Sequence, residues 1–479
     1  KLFFPKNRNK KEIVNSLPVE FTSKIQLKKF WNDNNSKIAF SLLLIYFLSF
    51  AIFLAFNFDT DIINDEVTHF DFSKQFSTTL GIPPELPEAY RYGVYITQNP
   101  FLFYWINGRV INITSFFSPN LDSWQLLVTL RIVNSFYAFG TIIFCYLLSK
   151  EFISHKWWQL LPPFFLSHTI TFVFLSGGVN YDNLTNLLCM AGLYVLARVF
   201  NKQDFLINSL AWMICITLGS LTKFTVLPLA LYMGIVWLFF LFANQKQIFP
   251  IQIKKKKVIP LGFILILLIL GNMAIYGHNL LVYQSLQPEC EDLLTEEECK
   301  LDFYNLRNEK FGMEGKFTII ESIRLGYPNP AAYFVYWVYR IIGNIFGIGS
   351  YKIYQNLFRI VTHWILLWWV FTIAIINKIH FNLKNSSFMA ILIFYFITIF
   401  IFNYNNELSS GFAHFAIHGR YLFPVIGILF LALTKGIMKI PYKSVQKLTL
   451  ILAIALYFFT GPLTFIYRYN SVFSDWFIR

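Results

Sequence analysis

A short stretch just after the first apolar segment, "NFDTDIINDEVTHFDFSKQF", gathers residues that could transfer a proton. Asp65 and Glu66 are adjacent in it, and His69 follows three and four residues later, so a helix would place all three on one face. A carboxylate at the boundary between water and membrane can act as a general base toward a hydroxyl group. The spacing fits neither an EF-hand, which requires other residues where Ile63 and Asn64 stand, nor the His-Glu-x-x-His of zinc proteases. A solvated acidic loop is the alternative interpretation.

Two cations stand in otherwise apolar surroundings. Arg420 lies in "IHGRYLFPV" with His418 before it and Tyr421 after it, and an arginine inside a bilayer marks a candidate functional site because charge is costly there. Lys223, in "LTKFTVLPL", lies at the turn of a predicted helical hairpin, where a lysine commonly extends its ammonium group to the membrane surface. Both cations suit the phosphate of a lipid headgroup. Asn180 or Asp182, in "VNYDNL", is expected to cap the next helix, and Asp182 is also a candidate to shape the same site.

Long apolar segments must position these residues. The 479-residue chain is 56% hydrophobic and only 14% charged, with a mean hydropathy of +0.51. Runs of about 18 or more apolar residues recur, each long enough to cross a bilayer as a helix, and they lack the alternation of barrel strands. We therefore expect an all-α polytopic membrane protein with about eleven transmembrane helices. The expected spans are 38–56, 125–149, 158–176, 183–200, 205–221, 224–243, 258–282, 358–378, 388–403, 413–434 and 447–467.

The distribution of basic residues predicts which side each loop faces. With the N-terminus in the cytoplasm, the basic residues of 1–37, 254–257 and 435–447 all lie on the cytoplasmic side, as the positive-inside rule requires. Two long outer loops result, 57–124 and 283–357. This placement and the anionic membrane surface account for the formal charge of +14. Because no nucleic-acid-binding motif accompanies the charge, no nucleic-acid partner is expected.

The outer loops should carry helices that lie along the membrane surface. Segment 331–348 is apolar enough to span, but spanning would move the lysines of 435–447 to the outside, and its Arg340 follows several aromatic residues, as in interfacial helices. Residues 101–113 form a second such segment. We therefore expect a basic cytoplasmic segment, 1–37, and a single transmembrane domain, 38–479, without a separate soluble domain.

Two of the five cysteines differ from the rest. Cys290 and Cys299 bracket "CEDLLTEEEC" in a polar loop, and a disulfide between them is expected if the loop faces an oxidising compartment. Cys145, Cys189 and Cys215 lie in apolar spans, where cysteines pack as small apolar residues.

The motifs "NDEVTHFDFS", "VNYDNL", "LTKFTVLPL" and "IHGRYLFPV" resemble, in order and placement, those of the GT-C superfamily of membrane glycosyltransferases. The chain looks most similar to protein O-mannosyltransferases, lipid A aminoarabinose transferases and uncharacterised bacterial membrane families beside them. The resemblance implies a GT-C-like bundle whose donor is a polyprenyl-phosphate-linked sugar, presented from the outer leaflet. It implies a bacterial plasma-membrane protein that acts on the outer face, and a lipid, glycan or protein acceptor.

The same resemblance implies roles for individual residues. Asp65 would be the general base and Glu66 its partner, or both would bind a divalent cation such as Mg²⁺ or Mn²⁺ if one is used. Lys223 and Arg420 would hold the donor phosphate. Direct attack by the acceptor would invert the anomeric centre. The pocket residues expected on this basis are His69, Asp182, His418 and Tyr421.

A transporter or flippase of a lipid-linked or polar solute is the alternative function. Transporters place charges near the middle of the bilayer, often between inverted repeats. Here the charged residues cluster toward one side, and the sequence contains no evident repeat. These observations favour an enzyme that works at one face of the membrane.

Overall fold

The computed structural model describes residues 19–60, 62–84, 95–248, 255–300, 302, 306, 317–326, 329–349, 354–376, 383–410 and 417–478. These residues are almost entirely helical and form isolated β-bridges but no strand. The first 18 residues of the expected basic segment, parts of both long loops and the start of expected span 413–434 lie outside the described residues. Packing divides the chain into two units, Lys1–Tyr46 and Phe47–Arg479, and every candidate site residue belongs to the second.

Twenty α-helices follow one another along the described chain. The first ten are α1 (Val19–Asn57), α2 (Glu66–Ser77), α3 (Leu102–Phe117), α4 (Ser123–Phe152), α5 (Leu161–Ser167), α6 (Ile170–Ser176), α7 (Tyr181–Phe200), α8 (Phe205–Ser220), α9 (Val226–Ile248) and α10 (Lys255–Asn272). The second ten are α11 (His278–Tyr283), α12 (Cys290–Leu293), α13 (Glu296–Cys299), α14 (Ile319–Leu325), α15 (Pro330–Phe346), α16 (Leu357–Ile376), α17 (Leu383–Ser410), α18 (Phe423–Met438), α19 (Lys443–Thr460) and α20 (Leu463–Tyr467).

Among the described residues, eight helices are long and apolar enough to cross a membrane, and the bent pair α5–α6 would make a ninth if it counts as one span. Helix α8 and the described part of α16 are shorter apolar helices. These elements fall in the eleven expected segments, and the all-α polytopic fold class is confirmed. The expected number of eleven spans is not confirmed, because one segment is broken and two are short.

Side-chain hydrogen bonds satisfy backbone groups where this segment is broken. Helices α5 and α6 are bent by 63° relative to each other, with His168 and Thr169 between them. The Nδ1 atom of His168 lies 2.9 Å from the carbonyl oxygen of Phe164, and the Thr169 hydroxyl donates to the carbonyl oxygen of Phe165 at 2.8 Å. Side chains thus bond carbonyl groups at the break, as a chain within a bilayer requires.

The first long loop folds into a helical pair. Helix α2 packs against α3, and their shared core contains Phe72, Phe76, Phe103 and Tyr104, all buried. A Cβ atom at Gly108 would lie 2.7 Å from the backbone carbon of Phe76, so only glycine permits this close approach of the two helices. The expected interfacial segment 101–113 therefore corresponds to α3, which is held in place by α2.

The second long loop is tied to the first. Cys290 and Cys299 form a disulfide between α12 and α13, and Tyr95 of the first loop packs against both sulfur-bearing side chains. The Tyr95 hydroxyl also donates to the Asp302 carboxylate at 2.6 Å. The two long loops therefore meet around this disulfide.

Helix α15, in the second long loop, is amphipathic. Tyr333, Trp337 and Ile341 on one face are buried, and the indole of Trp337 donates to the side chain of Asn403 on α17 at 2.8 Å. Val335 on the other face is exposed. Among the described residues α15 is not one of the helices long and apolar enough to cross a membrane, as expected for segment 331–348.

Candidate functional site

Asp65 and Arg420 meet across the fold although 355 residues separate them in sequence. Nη2 of Arg420 donates to Oδ2 of Asp65 at 2.8 Å. Asp65 directly precedes α2 with left-handed backbone, at φ 63°, a conformation that Asp tolerates better than most residues. The Arg420 side chain is buried, whereas 43% of the Asp65 side chain is exposed. Asp65 is therefore the member of the pair that a substrate can reach.

A second ion pair adjoins the first. The ammonium group of Lys223, in the turn between α8 and α9, bonds to Oδ1 of Asp182 at the start of α7. Oδ2 of Asp182 lies 3.5 Å from Nε of Arg420. Asn180, not Asp182, caps α7, because its side chain accepts from the backbone N–H of Asp182 at 2.9 Å. The carboxylate of Asp182 is therefore available to hold both cations.

Two aromatic rings enclose the lysine of this network. The Lys223 ammonium lies 4.4 Å from the ring centroid of Tyr181 and 4.7 Å from that of Tyr421, both within cation–π range. Burial lowers the pKa of Lys223, and the carboxylate of Asp182 opposes that effect. The ring of Tyr421 also lies 5.7 Å from the Arg420 guanidinium. Tyr421 thus lies within cation–π range of both cations of the site.

The electrostatics of Asp65 follow from its partner. Burial raises the pKa of Asp65, but the charge and hydrogen bond of Arg420, together with smaller effects of His69 and His418, lower it by more in sum, so this pKa lies below that of an ordinary aspartate. The carboxylate is therefore ionised at neutral pH and able to accept a proton. Two carboxylates, Asp65 and Asp182, face two cations, Lys223 and Arg420, so the formal charges of these four residues cancel.

Glu66 has different partners from its neighbour Asp65. Its carboxylate is fully buried and accepts two hydrogen bonds from Arg131 of α4, at 2.8 Å and 2.5 Å, and one from the backbone N–H of Val179 at 2.9 Å. Arg131 also donates to the carbonyl oxygens of Phe58 and Asp59 just after α1. The pair therefore joins α1, α2 and α4 behind the site.

Sequence reasoning missed Arg131. A signal existed, because Arg131 stands alone as a charge within the apolar run "SWQLLVTLRIVNSF", and the argument that singles out Arg420 applies equally to it. The structure brings together Asp65, Asp182, Lys223, Arg420 and Tyr421. It places Glu66 behind them, paired with Arg131.

His69 forms part of the wall of the site. It lies one turn into α2, with Nδ1 3.0 Å from the hydroxyl of Tyr104 and its ring 4.5 Å from that of Tyr181 in an edge-to-face contact. Burial lowers the pKa of His69 to about 4, so the ring is neutral at pH 7. Nε2 is buried and has no hydrogen-bond partner among the described residues.

A small cavity adjoins Arg420. His418, Arg420, Asn64 and Asn344 line it, and it contains about 250 Å³ of empty space. The ring of His418 makes an edge-to-face contact with Tyr421 at 5.9 Å. Nη1 of Arg420 is buried and has no hydrogen-bond partner among the described residues. The arginine therefore carries a donor that its ion pair with Asp65 leaves unused.

The carboxylates present do not fit a resident divalent cation. Both oxygens of Glu66 are bonded to Arg131, and Asp182 is paired with Lys223 and Arg420. Asp65 shares its carboxylate with a guanidinium, and the described residues contain no group of three or more His, Cys, Asp or Glu side chains suited to a metal. Mg²⁺ and Mn²⁺ prefer oxygen ligands, which here already bind protein cations.

Comparisons with known proteins identify structural similarity only. No family model matches the sequence. No curated protein matches it at a significant level. The structure is similar to solved structures of the oligosaccharyltransferase of Archaeoglobus fulgidus.

Three of these structures illustrate the extent of the match. The complex with Zn and sulfate is 14% identical with a TM-score of 0.46 over 88% of this chain and 52% of that one. The complex with an inhibitory peptide and a dolichol-phosphate is 12% identical, with a TM-score of 0.47 over 88% and 55%. The form tethered to an acceptor peptide with the NVT sequon is 12% identical, with a TM-score of 0.47 over 90% and 56%. This chain thus spans about half the length of the proteins it resembles, and at these identities the similarity does not by itself assign an activity.

Proposed function

We propose that this chain is a membrane glycosyltransferase of the GT-C type that transfers a sugar from a polyprenyl-phosphate-linked donor to an acceptor at the outer face of the membrane. One observation carries the proposal. Asp65, Asp182, Lys223 and Arg420, which come from four segments distant in sequence, converge at one end of the helical bundle. A carboxylate beside two cations suits transfer from a lipid-linked phosphate, because cations stabilise the negative charge that develops on the leaving phosphate.

The cations would hold the donor phosphate. Nη1 of Arg420 has no partner among the described residues, so a phosphate oxygen can accept from it while Nη2 stays bonded to Asp65. Arginine presents its donors in a planar fork that matches a phosphate. Lys223 adds a second positive charge close to Arg420, because the Asp182 carboxylate pairs with both residues. The phosphate would therefore lie next to the small cavity that His418 and Arg420 line.

The transfer itself would follow from these charges. The acceptor's nucleophilic atom attacks the anomeric carbon as the bond from that carbon to the phosphate oxygen breaks. The electron pair of the broken bond leaves with the polyprenyl phosphate, and the cations stabilise the negative charge that grows there. Asp65 takes the proton of the acceptor. Because attack and departure occur on opposite faces of the anomeric carbon, the configuration inverts.

Glu66 and Asp182 would act as positioning residues in this scheme. Glu66 is fully bonded to Arg131 and therefore anchors the start of α2, which sets the direction of Asp65. Asp182 orients Lys223 and Arg420 toward each other. His69, neutral and buried, would complete the wall with Tyr421. No step of this scheme requires a divalent cation.

The release of polyprenyl phosphate tests the proposal. Purified protein is incubated with a panel of polyprenyl-phosphate-linked sugars and candidate lipid, glycan and peptide acceptors, with and without a chelator. Asp65→Asn should lower the rate of release by about 10²- to 10⁴-fold, the usual contribution of a general base. Asn tolerates left-handed backbone, so this variant should keep the fold.

Asp71→Asn is the matched control, because Asp71 lies on the same helix, α2, and pairs with Lys74 at 2.7 Å near the surface. It should release polyprenyl phosphate at the rate of the unmodified protein. Adding the chelator should leave the rate of each active sample unchanged. Equal release from the Asp65→Asn variant, or no release from any donor in the panel, would contradict the proposed function.

A further inference from the structure

A second cleft lies at the end of the bundle opposite to the candidate site. It is bounded by the last residue of α4 and by helices α16, α17 and α18, and it contains about 840 Å³ of space not filled by protein atoms, part of it open to the surroundings. Ten of the twelve described residues that line it are apolar, and the polar ones are Asn385 and Lys435. Lys435 follows Arg420 by 15 residues along helical backbone, which corresponds to a rise of about 22 Å between the two positions. This lysine-edged cleft is therefore independent of the site around Asp65.

Two lysines converge at the rim of this cleft. The ammonium groups of Lys384, on α17, and Lys435, on α18, lie 4.1 Å and 4.7 Å from the ring centroid of the same residue, Phe152. Lys384 donates to the carbonyl oxygen of Glu151 and to the side chain of Asn201, and Lys435 donates to the side chain of Asn385 at 2.7 Å. All three hydrogen bonds go to neutral oxygens.

The lysines carry more positive charge than the neighbouring carboxylate offsets. Among the described residues no acid forms an ion pair with Lys384 or Lys435. Glu151 attracts Lys384 without pairing with it, and its carboxylate accepts from the side-chain amide of Asn201. Lys439, one turn beyond Lys435, adds a further positive charge. Two half-buried cations at the edge of an apolar cleft leave an excess of positive charge where water is scarce. An anion joined to an apolar chain would complement both features.

We propose that the lysine-edged cleft binds an anionic phospholipid of the leaflet at this end of the bundle. The lipid phosphate would accept from the ammonium groups of Lys384 and Lys435, and an acyl chain would occupy the cleft between α16, α17 and α18. Basic pockets between membrane helices recognise anionic headgroups in this way. In the expected topology this is the cytoplasmic leaflet, whose anionic lipids lie next to the basic residues at the ends of the loops.

Lipid-dependent thermal stability tests the proposal without any assay of activity. Purified full-length protein in detergent is titrated with phosphatidylglycerol or phosphatidylcholine, and the midpoint of thermal unfolding is measured. Phosphatidylglycerol should raise the midpoint of the unmodified protein at lower concentration than phosphatidylcholine does. In the double variant Lys384→Gln with Lys435→Gln, the apparent affinity for phosphatidylglycerol should fall by about 25-fold, since each lysine near a lipid phosphate contributes about fivefold.

Two further variants separate charge from shape. Lys443→Gln, an exposed lysine at the same end of the bundle, is the control and should respond as the unmodified protein does. Ala432→Trp fills the cleft and keeps both lysines, so it should also lose the response to phosphatidylglycerol. Equal responses to both lipids, an unchanged response in the double variant, a retained response in Ala432→Trp, or an equal shift with inorganic phosphate alone would each overturn the proposal.

Discussion

Arg131 holds Glu66 in a fully buried, two-pronged ion pair, while the neighbouring Asp65 faces an accessible site. Adjacent carboxylates therefore have opposite surroundings. Removing one partner of a buried pair leaves an uncompensated charge, which destabilises a protein far more than the pair itself stabilises it. Glu66 is thus suited to fix the start of α2, and Asp65 to react.

Glu66→Gln should destabilise the fold by about 3–5 kcal/mol, because the guanidinium of Arg131 loses its counter-charge in a buried setting. The midpoint of thermal unfolding measures this effect. Lys74→Met, which removes the exposed ion pair with Asp71 on the same helix, should cost less than about 1 kcal/mol. A Glu66→Gln variant with an unchanged midpoint but no activity would instead place Glu66 in the chemistry.

His69 predicts a pH dependence of stability. Burial lowers its pKa to about 4, from 6.5 for an exposed histidine, so between these values the unfolded chain binds a proton that the folded chain does not. Stability contributed by neutral His69 is therefore present above pH 6.5 and is lost as the pH falls toward 4. The midpoint of thermal unfolding should drop across this window by less in His69→Gln than in the unmodified protein; parallel curves would contradict the prediction.

At the scale of elements, close backbone packing positions Arg420. The short helical turn that contains Arg420 lies directly on α15, and a Cβ atom at Gly419 would approach the backbone of Ile345 and Ile341 to within 2.6 Å and 2.7 Å. The side chain of Asn344, in the same part of α15, donates to the carbonyl oxygen of Ile417 at 2.7 Å. An amphipathic helix of the second long loop therefore fixes the residue that pairs with Asp65.

Gly419→Ala should displace the turn from α15 and lower the release of polyprenyl phosphate at least about tenfold, since a misplacement of about 1 Å can cost 10²-fold in rate. The matched control is Gly234→Ala in α9, where a Cβ atom meets nothing within 4 Å. That variant should keep full activity. Equal activity of the two variants would show that α15 does not position Arg420.

In the molecule as a whole, two groups of helix ends carry the candidate site and the lysine-edged cleft. The site gathers the segment after α1, the start of α7, the turn after α8 and the turn before α18. The lysine-edged cleft gathers the end of α4, the start of α17 and the end of α18. Helix α18 thus begins at one group and ends at the other, so the two groups mark opposite ends of the bundle.

Labelling in cells tests the orientation expected from the basic residues. Asn120 and Lys443 are exposed at the two ends, so Asn120→Cys should react with a membrane-impermeant maleimide added outside, and Lys443→Cys only after permeabilisation. The other cysteines are buried, partly buried or joined in a disulfide, which keeps the background low. The reverse pattern of labelling would place the candidate site in the cytoplasm.

Reading along the chain was enough to predict the all-helical membrane fold and the apolar segments, and to single out Asp65, Asp182, Lys223 and Arg420 as residues to examine. Hydropathy and isolated charges are properties of short segments, so they can be read along the chain. A cap by Asn180 or Asp182 at the start of α7 could be predicted in the same way, because a helix cap depends on residues close in sequence.

The folded chain alone sets the partners of these residues. Arg131 forms an ion pair with Glu66, and Lys223 forms one with Asp182. Arg420 pairs with Asp65, which lies 355 positions earlier in the chain. The fold also decided the break between α5 and α6 and the short lengths of α8 and α16, which reduced eleven expected spans to eight, or nine with the bent pair. Ion pairs and helix breaks depend on which segments pack together. Hydropathy is calculated for one segment at a time, so it carries no information about which segments are neighbours in space.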